Sequence, residues 1–122
     1  MKSAAVLLLL AQAVEHTKDP LETVKAAIAE KKAVLVDVRE KAEWDAGHLE
    51  GALFAPLSWL RGAAAEQLAE KLPAKQVLYA HCASGRRTLA AAELLRKAGW
   101  DVRPLKPGYA ELLKAGFPAA KP

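Results

Sequence analysis

The chain has 122 residues, 52% hydrophobic and 26% charged, with a formal net charge of +4; these are values of one soluble folded domain, which excludes wholesale disorder and a fibrous architecture. The positive charge is scattered and forms no basic tract, which argues against a nucleic-acid partner while still favouring anionic small molecules near a cleft. One cysteine excludes an internal disulfide, and His16, His48 and His81 lack zinc-ligand spacing, so neither a metal nor any other cofactor is expected.

Residues 1–13, MKSAAVLLLLAQA, read as an export leader: Lys2, a short apolar run, and the small-x-small end Ala11-Gln12-Ala13. An amphipathic or buried N-terminal helix is the alternative. The apolar run is well short of the ~20 residues of a membrane span, so no stable membrane association is expected. Cleavage after Ala13 places the protein in the periplasm or outside the cell; otherwise it is cytoplasmic. Residues 14–122 then form a single domain, without linker or internal repeat.

Asp19-Pro20-Leu21-Glu22 carries the marks of a helix start, with Asp19 as N-cap and Pro20 at the first helical position, and the helix is expected over 20–31. The run 33–38, AVLVDV, lacks alternation, as a strand buried on both faces does. A short helix over 40–46 stops at Gly47, a weak strand over 53–55 precedes Pro56, and an alanine-rich helix over 62–72 ends before Pro73. The second strong strand, 76–80, leads into Cys82. A helix over 88–97 closes at Gly99, a strand over 101–105 follows, and a last helix covers 109–114. Strands alternating with helices predict an α/β fold with a mostly parallel central sheet and helices on both faces. Ligands of such folds bind beyond the carboxyl ends of the strands, where both Asp37 and Cys82 are expected.

The segment after the second strand, Cys82-Ala83-Ser84-Gly85-Arg86-Arg87, is built of small and cationic residues. Gly85 can take a positive φ, so the backbone can curl and aim several amide N–H groups inward, with the helix N-terminus behind them. A sulfur at that centre is stabilised as thiolate, the reactive form, and is expected to stay open to solvent. The bland alternative is a free cysteine packed as a small hydrophobe.

Through VLVDVREKAEWDAGHLEGA (34–52), HCASGRRT (81–88), AAELLRKAGW (91–100) and LKPGYAELLKAGFP (105–118), in that order, the sequence resembles the rhodanese-like single-domain sulfurtransferases over most of 33–118. The resemblance implies a persulfide cycle. Cys82 would take the outer sulfur of a small anionic donor such as thiosulfate and pass it to a thiol or cyanide acceptor. The loop Ala83, Ser84, Gly85, Arg86, Arg87 and Thr88 would hold the anionic sulfur, with Arg86 facing outward to attract the donor. Arg87 is expected to pair with Asp37 or Glu43. Asp37, Arg39 and His48 are expected as supporting scaffold, with His48 hydrogen-bonded and not a general base. Trp44, Trp59 and Trp100 are expected in the core or at its rim. Two departures stand out: Pro107-Gly108 where relatives commonly show two glycines, and Leu112 where a tryptophan is usual. Two rival functions remain. A phosphatase or arsenate reductase of this fold would need an arginine at the position of Thr88, and a non-catalytic sulfur carrier or partner-binding module would need no turnover. The oligomeric state is left open.

Overall fold

Four short apolar segments build the centre of the molecule. In the computed structural model, which describes residues 13–122, β1 (Ala33–Asp37), β2 (Leu53–Phe54), β3 (Val77–His81) and β4 (Val102–Pro104) form one sheet in the order β2-β1-β3-β4. Every neighbouring pair is parallel. The intervening segments form α1 (Leu21–Ala29), α2 (Lys41–Ala46), α3 (Leu57–Leu60), α4 (Ala65–Lys71), α5 (Arg86–Lys97) and α6 (Tyr109–Lys114). The expected leader, apart from Ala13, lies outside the described residues.

Strand side chains alternate between faces, and each face is covered. Val36, Leu78, Ala80 and Val102 pack with Leu57 and Leu60 of α3, Leu68 of α4, and Ala91, Ala92 and Leu95 of α5. On the other face, Ala33, Leu35 and Tyr79 pack with Val24 of α1 and Leu112 of α6. This is the α/β architecture expected from the sequence, a parallel sheet with helices on both faces. Leu112, where relatives usually carry a tryptophan, is fully buried in this second layer.

Several local expectations change. Pro20, not Asp19, occupies the N-cap of α1, and no side chain caps it. Asp19 is drawn away because its Oδ2 accepts hydrogen bonds from the Tyr79 hydroxyl at 2.7 Å and from Arg103 Nη1 at 2.9 Å. The segment before α4 holds the extra turn α3, in which Leu57 and Leu60, spaced i, i+3, both bury. Helix α4 consequently starts at Ala65 instead of 62, with the Ala64 N–H bonded to Gln67 Oε1 at 2.7 Å. Helix α5 starts two residues earlier than expected because Gly85, at φ 85°, serves as its N-cap.

The register fixes where the cysteine turn emerges. Asp37 lies opposite His81 at the carboxyl ends of β1 and β3, so the turn that starts at Cys82 emerges beside the end of β1.

Candidate active site

Strand β3 ends at His81, and the chain turns through Cys82–Gly85 into α5. The left-handed Gly85 makes the turn possible, since a side chain there would be strained and its Cβ would lie 2.6 Å from the Lys106 carbonyl oxygen. The Gly85 N–H donates to Cys82 Sγ at 3.1 Å, the one amide that reaches the sulfur among the described residues. The expected ring of several amides is therefore represented by a single direct contact.

Cys82 is fully buried, contrary to the expected open thiol, and its side chain joins the apolar layer on the α5 face. The side chain packs with Leu57 and Leu60 of α3, Leu68 of α4 and Ala91, Ala92 and Leu95 of α5, while the segment after β4 packs on the backbone of the turn. Tyr109 N donates to the Cys82 carbonyl at 2.8 Å, and Gly108 packs so tightly on Ala83 that a Cβ there would lie 1.8 Å from the Ala83 oxygen. Ala83, Ser84 and Arg86 are exposed around the turn, and Arg87 is partly exposed.

Arg87 chooses Glu43 of α2 and not Asp37. Its Nη1 and Nη2 donate to Glu43 Oε1 at 2.6 Å and Oε2 at 2.9 Å, a two-pronged pair. The guanidinium holds the Glu43 carboxyl down at about 2, and the carboxylate in turn raises the already high pKa of Arg87. Glu43 Oε1 also accepts the Glu40 N–H at 3.1 Å, and Glu40 Oε2 accepts the Ser58 N–H at 3.2 Å. Loop, α2 and α3 are thereby linked.

Asp37 is taken by Arg39. Arg39 Nη2 lies 2.8 Å from Asp37 Oδ2, Nε lies 3.0 Å from Oδ1, and the Arg39 N–H donates to Oδ1 at 3.0 Å. Arg39 also donates to the Gly47 carbonyl at 2.7 Å and lies 4.3 Å from the centre of the Tyr109 ring. Both partners are buried, and the pair braces the wall between β1 and α6. His48 Nδ1 donates to the Trp44 carbonyl at 3.0 Å while its ring stacks on Trp44 at 3.6 Å. Trp44, Trp59 and Trp100 are all half-buried, the latter two against the α5-face layer.

Thr88 is fully buried, and its hydroxyl lies 2.8 Å from the Gly85 carbonyl and 3.2 Å from that of Leu105. It ties the turn to the strand end and leaves no group to clamp phosphate at the sixth position after Cys82.

Two histidines at the site were given no role by the sequence. His81 is fully buried at the end of β3, with Nε2 4.0 Å from Asp37 Oδ2, and neither ring nitrogen has a hydrogen-bond partner among the described residues. Burial lowers its pKa, outweighing the opposing pull of Asp37. His16 places Nε2 2.6 Å from the Gly85 carbonyl. That contact joins residues 69 apart in the chain, so no local pattern could have disclosed it.

Comparison with known proteins agrees with this fold. The family model for the rhodanese-like domain matches residues 20–115. The probable adenylyltransferase/sulfurtransferase MoeZ of Mycobacterium tuberculosis is 37% identical over 71 residues, 58% of this chain but only 17% of that protein. The uncharacterized protein YqhL of Bacillus subtilis is 36% identical over 80 residues, 65% of this chain and 60% of its own. Among solved structures, the human single-domain sulfurtransferase TSTD1 superposes with a TM-score of 0.66 at 32% identity, covering 77% of this chain and 92% of that one. A rhodanese-related protein of Thermoplasma volcanium shares the fold, with a TM-score of 0.68 at 23% identity over 89% of this chain and 98% of its own. The chain belongs to the rhodanese-like domain family.

Proposed function

We propose that the protein moves a sulfane sulfur from a small anionic donor such as thiosulfate to a thiol or cyanide through a persulfide on Cys82. The observation that carries this reading is the sulfur itself: Cys82 Sγ accepts the Gly85 N–H at the N-terminus of the 12-residue helix α5. The amide and the N-terminus of the helix place positive partial charge at the sulfur. The thiolate attacks the outer sulfur of thiosulfate, the S–S bond of the donor breaks, and its electron pair leaves with sulfite. An acceptor thiolate or cyanide then attacks the terminal sulfur of the persulfide and returns Cys82 as thiolate, so no external oxidant or reductant is consumed. Exposed Arg86 at the turn supplies positive charge for the approach of the dianion.

The test is formation of thiocyanate from thiosulfate and cyanide, alongside the intact mass after thiosulfate treatment. Wild type gains one sulfur that dithiothreitol removes and turns over repeatedly; Cys82→Ser does neither. A wild-type protein that gains no sulfur from thiosulfate and forms no thiocyanate overturns the reading. Full burial of Cys82 favours a second reading, a carrier that accepts one sulfur and releases it only to a partner that opens the turn. One loading event without cycling identifies that carrier. We further propose that residues 1–13 are a secretion leader, which N-terminal sequencing of the native protein checks.

A further inference from the structure

Residues 14–17 cross the carboxyl edge of the sheet before α1 begins. Thr17 N donates to the Pro104 carbonyl at 2.8 Å, at the end of β4, and Val14 packs on the apolar layer that contains Cys82. Asp19 anchors the same stretch to Tyr79 of β3 and to Arg103 of β4. Between these anchors His16 is delivered to the catalytic turn, with Nε2 2.6 Å from the Gly85 carbonyl and 3.2 Å from where a Gly85 Cβ would lie. A carbonyl only accepts, so Nε2 carries the hydrogen.

We propose that His16 is a positioning residue for the Cys82 turn, holding the Gly85–Arg86 peptide so that the Arg86 N–H is turned away from His16 while the Gly85 N–H stays on Cys82 Sγ. The chain has no cis peptide bond among the described residues, and in a planar trans peptide the C=O and N–H point in opposite directions. Tethering the Gly85 oxygen on one side therefore turns the Arg86 N–H to the other. Arg86 is the first residue of α5, so its N–H belongs to the helix terminus that has no intrahelical partner and favours an anion. Thr88 Oγ1 approaches the same carbonyl from within the helix, and its hydroxyl is shared with Leu105. His16 supplies the tether from outside the loop, on a segment pinned to two strands. The inference rests on the reading of Cys82 as the reactive sulfur, but its test does not need turnover.

The experiment compares wild type with His16→Gln, which keeps a donor at similar reach without titrating, and His16→Leu, which keeps bulk without a donor. Three quantities are read: iodoacetamide alkylation of Cys82 at neutral pH, the Arg86 amide resonance in a proton–nitrogen spectrum, and the melting temperature. In His16→Leu alkylation slows about fivefold, the size of one net hydrogen bond, and the Arg86 resonance moves. In His16→Gln both return close to wild type while the two variants melt within a few degrees of each other. An unmoved Arg86 resonance in His16→Leu overturns the proposal, and so does a His16→Gln protein that behaves like His16→Leu. If wild type transfers no sulfur from thiosulfate, the sulfurtransferase reading falls alone, because the resonance comparison still decides the role of His16.

Discussion

Arg87 and Glu43 meet through two short hydrogen bonds, yet their side chains are 31% and 36% exposed. Solvent screening at that exposure limits the pair to about 1 kcal/mol, less than the pKa of Glu43 alone would suggest. Arg87→Ala is expected to lower the melting temperature by about 4 °C while changing sulfur-transfer rate by more than that stability loss explains, because the loop end is no longer fixed to α2. Calorimetry and steady-state rates on the same preparation check this. Glu43 also carries a pH signature. Its carboxyl lies at about 2 in the native state against an ordinary 4.5, so between those values the unfolded chain binds more protons than the native one. The stabilisation is complete above about pH 4.5 and is lost as pH falls toward 2. Glu43→Gln should therefore flatten the acid limb of the stability profile in urea titrations at pH 3 to 5.

At the scale of elements, the approach of two turns governs the site. The start of α6 presses on the residue after Cys82, with Gly108 against the Ala83 carbonyl and Tyr109 N on the Cys82 carbonyl. Gly108 has an ordinary negative φ of −91°, so its replacement costs nothing in backbone preference and everything in space. Gly108→Ala is expected to destabilise the protein by about 3 kcal/mol, by urea denaturation, and to raise alkylation of Cys82 as the turn is displaced from the apolar layer around the sulfur. The elements themselves were mostly legible. AVLVDV and QVLYA are strand-like apolar runs, and TLAAAELLRK has helical spacing. The extra turn α3 was not, because PLSWL is too short to show a period and is held by burial of Leu57 and Leu60. The N-cap of α1 was misjudged for the same kind of reason: the Asp19 carboxylate finds Tyr79 and Arg103 across the fold instead of its own helix end.

For the whole molecule, His81 is the buried group that ties stability to pH near neutrality. Desolvation holds its native pKa below the unfolded value of 6.5, so as pH falls below 6.5 the unfolded chain takes up a proton that the native state refuses. Stability then drops with decreasing pH by up to about 1.4 kcal/mol per unit and levels off above pH 6.5. His81→Phe, which removes two nitrogens that have no hydrogen-bond partner among the described residues, should abolish that slope without loss at pH 8, measured by urea unfolding at pH 5 to 8. What the sequence alone determined is what local spacing encodes: the succession of strands and helices, a parallel sheet covered on both faces, and a cysteine at the turn where such sheets place ligands. Only the tertiary structure decided the partners of that turn. Glu43 for Arg87, His16 for Gly85 and the closing contact of Gly108 on Ala83 join residues tens of positions apart, and the strand order β2-β1-β3-β4 brings them together. Cys82 is buried for the same reason, since the layer around its side chain is assembled from α3, α4 and α5.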